Sequence, residues 1–344
     1  MRRLVLLLAV LAAAVTAATA AAVTRGAPVP AEGLGPPPPS TLAIIGDSPY
    51  GAAQLVAVPG LVDRINADPN VSTVLHLGDV KNGSSVCSDS YFEQIRTQFD
   101  RFQDPLLYTP GDNEWTDCHR ANNGAYFPGE RLARLRQLFY PEAGVSLGVR
   151  KLRVTSQTEM PGYERFVENQ LFVQSGAVFS MLHVVGSNND LQPWFAAAET
   201  PEQRAERIAE YNGRIDADLA WLDRTFALAA SRGAPGVVVA MQADMWDAFS
   251  VLNRLPLNGF DPIVQRLAVL AREFGKPVLV LQGDSHRFTV DRPLANGSPV
   301  HNTQIAAPNL TRIVVEGETA SEYLRLRVDA TSPAVFSYER VRLP

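Results

Sequence analysis

Four times along this chain a run of apolar, strand-like residues ends on a Gly-Asp pair: LAIIGD at Asp47, VLHLGD at Asp79, LLYTPGD at Asp112 and PVLVLQGD at Asp284. The stretches between such runs carry apolar residues at helical spacing, which constrains the chain to an α/β fold. In an open α/β sheet the carboxyl ends of the strands form one rim where ligands bind. Aspartates delivered to one rim repel, and the cluster survives folding only if protons or cations neutralise it. At neutral pH a multivalent metal does this best. His286, two residues past Asp284, offers an imidazole ligand. The competing reading is turn chemistry, because Gly supplies unusual backbone angles and Asp caps the next helix. One Gly-Asp would fit it; four after strand-like runs favour a shared metal site.

The chain has 344 residues, an ordinary apolar content and a net charge of −5, the profile of a globular protein of one large or two modest domains. Its Lys and Arg are scattered without a basic face, which sets nucleic-acid binding aside. Residues 1–22, MRRLVLLLAVLAAAVTAATAAA, have the basic start, apolar run and small-residue tail of a signal peptide, so the expected location is secreted, periplasmic or otherwise extracytoplasmic, with no stable membrane insertion after cleavage. The competing reading is an uncleaved anchor, disfavoured by the weakly hydrophobic alanines. Export exposes Cys87 and Cys118 to an oxidising compartment. They lie in the loops after Asp79 and Asp112, so a disulfide between them is expected to brace the rim, in preference to soft thiolate ligation among hard carboxylates. Asn-x-Ser/Thr sequons begin at Asn70, Asn82, Asn296 and Asn309.

Residues 23–40 are rich in proline without apolar period and read as a tether. The folded domain is expected over 41–344. Strands are predicted at 42–46, 72–77, 105–109, 236–241 and 277–282, with QLFVQSG and AVFSMLHVVGSNN as a strand pair. Helices are predicted at 53–66, 90–103, 129–139, 201–232 and 261–274. The long helix carries Ile208, Tyr211, Ile215, Leu219, Leu222 and Phe226 as its core stripe. Residues of about 116–170 read as an insertion over the rim, and the alternating tail of about 311–342 as antiparallel strands.

The order of motifs resembles the calcineurin-like metallophosphoesterases, a family that sets Asp-x-His, Gly-Asp, Gly-Asn-His-Asp/Glu, a lone His and Gly-His-x-His on strand-end loops around two metals. The corresponding segments are GDSPYG at 46–51, GDVKNG at 78–83, GDNEW at 111–115, MQAD at 241–244 and GDSH at 283–286, over about residues 41–290. The resemblance implies a four-layer sandwich of two packed mixed sheets flanked by helices. It also implies that Asp47 binds one metal, Asp79 bridges both, Asp112 binds the second, Asp284 replaces the first terminal His, and His286 matches the final His on the first metal. Departures are equally specific. Pro49 stands where the family has a ligating His, Asn113 where it has the His that assists the leaving group, and Gln242 where it has the lone His, with Gln242 and Asp244 as substitute ligands. Asn113, His286 and His119 are the catalytic candidates, although a loop histidine such as His119 is more often merely solvated. His76 and His183, inside apolar strands, read as buried supports.

Replacing imidazoles by carboxylates makes the site oxygen-rich, which favours Mn²⁺, Mg²⁺ or Ca²⁺ over Fe or Zn²⁺. A decaying site would show Ala, Ser or Gly at these positions, whereas Asp112 and Asp284 keep ligating groups. The resemblance thus implies an exported two-metal hydrolase of a small phosphate ester or anhydride. The alternative is a non-catalytic binding protein on the same scaffold.

Overall fold

The computed structural model describes residues 36–343. The expected signal peptide at 1–22 and the tether up to residue 35 lie outside the described residues.

The first half of the chain runs β1 (Ser40–Ile45), α1 (Gly51–Asn66), β2 (Val71–His76), α2 (Asp89–Phe99), β3 (Leu106–Tyr108) and α3 (Pro128–Phe139). It continues through β4 (Thr155–Ser156), β5 (Gln170–Gln174), β6 (Ala177–Met181), the single turn α4 (Gly186–Asn189), α5 (Pro201–Ser231), β7 (Val237–Ala240), α6 (Ala248–Asn253), α7 (Asp261–Phe274) and β8 (Val278–Gln282). The last strands are β9 (Thr289–Asp291), β10 (Leu310–Val314), β11 (Glu322–Val328) and β12 (Phe336–Arg342).

Two mixed sheets result. One has five strands in the order β12-β11-β1-β2-β3, the other seven in the order β4-β5-β6-β7-β8-β10-β9. The central strands β1, β2 and β3 run parallel, as do β6, β7, β8 and β10, and the edges add antiparallel partners. Strand side chains alternate faces, and here both faces are apolar. Leu42, Ile44, Leu75 and Leu107 of the first sheet meet Phe179, Val238, Leu279 and Ile313 of the second in one core between the sheets. The alternate residues Ala43, Ile45, Val74 and Tyr108 face α1, α2 and α3. Val178, Val237, Val239 and Val280 face α5 and α7. This gives the four layers helix, sheet, sheet, helix. It also explains why the central strands read as unbroken apolar runs.

Differences from the sequence reading are local. α2 stops at Phe99 rather than 103 because α1 takes over the following backbone: the Asn66 amide donates to the Arg101 carbonyl at 2.9 Å and accepts from Gln103 N–H at 2.9 Å. The N-terminal part of α5 departs from its expected stripe, for Ile208 is 37% exposed while Arg207 and Arg214 are buried. Arg207 is held by Glu199, and Arg214 by Glu210 and the backbone of Asn189. The tail is not uniformly antiparallel. β10 lies parallel to β8 in the second sheet, and the chain then crosses to the first sheet for the antiparallel pair β11 and β12. That crossing is fastened by Asp68, whose carboxylate accepts from Tyr323 Oη at 2.7 Å and from Arg325. α6 and β9 were not anticipated; six- and three-residue elements carry too little period to read.

Candidate metal centre

Each Gly-Asp follows a parallel strand, so the two sheets deliver their carboxylates to one end of the sandwich. β1 leads to Asp47, β2 to Asp79, β3 to Asp112, β7 to Gln242 and Asp244, and β8 to Asp284. Two of these glycines, Gly111 and Gly283, have a second use besides turning. A Cβ on Gly111 would collide with the Asp79 carboxylate, and one on Gly283 with that of Asp47. Each glycine makes room for the carboxylate of a different Gly-Asp, which turn chemistry alone would not require. Asp47, Asp79, Asp284 and His286 all sit at positive φ, between 49° and 71°.

Two groups of ligand atoms result, each with all members within 4.8 Å of one another: Asp47, Asp79 and His286, and Asp79, Asp112 and Asp284. Asp79 belongs to both. Its Oδ2 accepts from Tyr50 Oη at 3.0 Å, Asn113 Nδ2 at 2.7 Å and Gln242 Nε2 at 3.2 Å, while Oδ1 accepts from Asn113 N–H at 3.2 Å. Asp47 Oδ1 accepts from Asp284 N–H at 2.8 Å, and its Oδ2 is buried without a partner among the described residues. Asp112 accepts from Ser187 Oγ at 2.8 Å and Gln242 Nε2 at 3.1 Å. Burial first, and mutual repulsion second, hold the carboxyl groups of Asp47, Asp79 and Asp284 well above the usual carboxylate range. Burial likewise pushes the His286 imidazole down.

The donor set fits two hard divalent cations. Carboxylate oxygens predominate, with one imidazole, and the buried Oδ2 of Asp47 is an acceptor that nothing among the described residues satisfies. Gln242 is the exception. Its amide nitrogen faces Asp79 and Asp112, and its oxygen is taken by Gly186 N–H at 2.6 Å. Ligation through Gln242 requires that amide to reverse.

Two other sequence candidates stand apart from the cluster. Asp244 turns to Arg312, accepts from Ser285 Oγ at 2.8 Å and caps Trp246 N–H at 3.0 Å, so its carboxylate is already neutralised. His119 bonds the Thr116 carbonyl at 2.7 Å and packs edge-on against Phe195 at 5.5 Å; it does not line the open cavity of about 420 Å³ above the cluster. Asn113 does line it, with Nδ2 held by both Asp79 and Tyr50 Oη. Cys87 and Cys118 form a disulfide, and both sulfurs lie against the Asn113 carbonyl, at 3.6 and 3.7 Å.

Four further residues support the cluster: Tyr50 and Lys81, which the sequence did not single out, and Glu114 and Ser187, whose places after the third Gly-Asp and in the GSNND segment at 186–190 suggest orienting hydrogen bonds. Tyr50 reaches Asp79 and stands 3.1 Å from His286 Nε2; its place three residues past Asp47 was the available signal. Lys81 is fully buried, donates to the Asn113 carbonyl at 2.6 Å, and is pushed down to about 8 by burial. Its position two residues past Asp79 gave no hint of burial. Glu114 supports the rim from beneath, accepting from the N–H groups of Asp79 and Gly111 and from Tyr108 Oη, at 3.0, 2.7 and 2.7 Å. Ser187 opens a run of four left-handed residues, 187–190, with φ from 52° to 65°. The run is tied down by Asn189 accepting from Val185 N–H at 3.3 Å and by Asp190 accepting from Trp194 Nε1 at 2.8 Å. It brings the Ser187 hydroxyl onto Asp112.

No protein-family model matches the chain, and no curated protein matches it in sequence. Among solved structures it is similar to GAP50, the anchor in the inner membrane complex of Plasmodium, at 10% identity over 89% of each chain with a TM-score of 0.42. It is also similar to purple acid phosphatase PPD1 from yellow lupin (Lupinus luteus) seeds, at 12% identity over 89% of this chain and 54% of the lupin chain, with a TM-score of 0.46. Similarities this weak carry no argument about activity, which rests on the site itself.

Proposed function

We propose that the carboxylate rim holds two divalent cations and that the protein is an exported, metal-dependent phosphoesterase of the calcineurin-like metallophosphoesterase type, acting on a small phosphate ester or anhydride. The single observation that carries this reading is Asp79, one buried carboxylate common to two ligand groups on strand ends of a two-sheet α/β sandwich. In the proposed arrangement Asp47, Asp79 and His286 hold one cation and Asp79, Asp112 and Asp284 the other, with Mn²⁺, Mg²⁺ or Ca²⁺ suited to the oxygen-rich set. Bound there, the pair would supply an activated water and neutralise phosphoryl charge.

The protein's own residues supply orientation. Asn113 and Tyr50 hold the Asp79 carboxylate in place from the open side, and Glu114 fixes the backbone of both neighbouring strand ends. Asn113 offers a hydrogen bond to a leaving oxygen but no transferable proton at neutral pH. Substrates with good leaving groups, such as aryl esters and anhydrides, are therefore favoured. The Cys87–Cys118 disulfide accords with an oxidising compartment. Among the described residues no helix is long and apolar enough to cross a membrane.

The binding-protein reading has one observation in its favour, the Gln242 amide already donating into the cluster. Metal content by mass spectrometry on protein purified without chelator separates the two. Close to two cations per chain, lost in Asp79→Asn and accompanied by turnover of aryl phosphates, supports the hydrolase. Folded protein that takes up no Mn²⁺, Mg²⁺ or Ca²⁺ refutes it.

A further inference from the structure

Past Ser285 the rim opens into a second, larger concavity of about 820 Å³, bounded by α6, β9 and residues 293–300. It adjoins the carboxylate cluster: Asp244 and Ser285 line it, and Asp244 N–H donates to Asp284 Oδ2 at 3.3 Å. Its lining is apolar where it faces outward, with Phe249, Val251 and Leu252 from α6 and Pro293, Pro299 and Val300 from the loop. Phe249 is 67% and Leu252 83% exposed. α6 buries none of its own residues, so packing does not account for its composition. It is nonetheless held in place, since both Asp247 carboxylate oxygens cap it, at 3.1 Å from Phe249 N–H and 2.8 Å from Ser250 N–H.

The charges around this concavity are also arranged. Arg312, behind it, is neutralised by Asp244 and by Asp291, the latter at 2.9 and 2.7 Å, and stacks over Trp246. Arg287, next to His286 in sequence, lines the concavity, is exposed, and pairs with no carboxylate among the described residues. An anion-attracting side chain therefore stands between the carboxylate rim and an apolar hollow. The hollow is within the size range of small-molecule sites.

We propose that this concavity is a binding site for the alkyl or aryl group of an amphiphilic phosphate ester, whose phosphate lies toward the rim beside Arg287. The phosphate half rests on the hydrolase reading above; the apolar half does not. A single small amphiphile fits better than a second protein copy or a membrane, because the apolar side chains line one hollow instead of forming a raised face, and because the free cation lies at its rim-side edge.

The test is calorimetric titration of the full chain with butyl-, hexyl- and octylphosphonate below their micelle concentrations. The carbon–phosphorus bond cannot be hydrolysed, so binding is read without turnover. A buried methylene contributes a factor of roughly three to four in affinity, and Kd should fall at least tenfold from butyl to octyl. Phe249→Ser with Leu252→Ser removes two exposed side chains, and circular dichroism checks that the fold is kept. That variant should lose most of the chain-length dependence while keeping its affinity for methylphosphonate. Equal Kd across the series, or an unchanged slope in the variant, overturns the proposal. So does a dimer of the wild type, seen by sedimentation and abolished by Leu252→Ser, which would assign the patch to a second copy. Chain-length-dependent binding by a protein that hydrolyses no phosphate ester would sustain this site and refute the hydrolase. Hydrolysis indifferent to chain length would do the reverse.

Discussion

Replacing Asp79 by Asn should stabilise the metal-free protein while destroying its response to metal, a crossing of signs that an ordinary buried-polar substitution does not produce. Asp79 shares ligand groups with Asp47, Asp112 and Asp284, with atoms no more than 4.8 Å apart. At an effective dielectric of about 20, one pair of unit charges at that separation repels by about 3.5 kcal/mol. Against this relief stands a hydrogen-bond loss. The three donors on Oδ2 can all be kept by the Asn oxygen, but the new NH₂ faces Asn113 N–H, which now donates to Oδ1. Losing that bond costs about 1–2 kcal/mol. With both groups ionised the net stabilisation is about 1.5–2.5 kcal/mol, or a few degrees in Tm, and a proton held on the raised carboxyls lowers it. In the wild type, Mn²⁺ at a hundred times its Kd adds about 2.7 kcal/mol per site. The variant should gain little, because a neutral amide bridges two cations poorly. The assay is thermal unfolding of both proteins with EDTA and with excess Mn²⁺. A variant less stable than wild type in EDTA, or one stabilised equally by Mn²⁺, refutes the reasoning that the cluster is frustrated by its own charge.

Cys87→Ser with Cys118→Ser opens a loop of sequence separation 31, and chain-entropy arguments put the loss at about 3–4 kcal/mol; denaturant unfolding with and without reductant measures it, and a wild type indifferent to reductant would contradict it. Tyr50→Phe removes the hydroxyl shared by Asp79, Asn113 and His286 and should weaken metal binding by about 10–100-fold, as such supporting groups do; metal titration checks this, and unchanged affinity would show the hydroxyl to be idle. For Asp68, burial acts to raise the carboxyl pKa, but hydrogen bonds from Tyr323 and Arg325 outweigh it and bring the group from 3.8 down to about 2. A lowered carboxyl contributes stability at neutral pH that is lost as pH falls from about 4 toward 2, here on the order of 2 kcal/mol. Asp68→Asn should accordingly be less stable than wild type at pH 7 and converge with it near pH 2. Parallel stability curves across that range would refute the assignment.

The parallel core of the fold was legible because its strands are buried on both faces and flanked by helices with clear apolar period. What escaped the sequence lay where that period fails. β9 and α6 are too short to show one, and α5 buries Arg207 and Arg214 because their partners, Glu199 and Asn189, come from residues that no helical stripe reveals. The rim was legible from its Gly-Asp repetition, and the structure brings Asp47, Asp79, Asp112, Asp284 and His286 together. The orientation of side chains was not. Asp244 faces Arg312, a residue 68 positions away on β10, and Gln242 faces its nitrogen inward because Gly186 claims its oxygen. Such choices are made by long-range partners, which spacing along the chain does not encode.

The left-handed run at 187–190 bears on how this protein tolerates change. An ordinary L-residue loses about 1–2 kcal/mol in that conformation, whereas glycine loses almost nothing. At most buried positions glycine is among the worst replacements and alanine among the mildest. Here the ranking inverts at Asn188, where alanine would keep the strain without the side-chain bonds and glycine would remove both. Ser187 has no such latitude, since its hydroxyl reaches Asp112 only through that backbone. In a saturation library, position 188 should therefore fill with Gly and Asn while position 187 stays narrow, two adjacent residues under opposite rules.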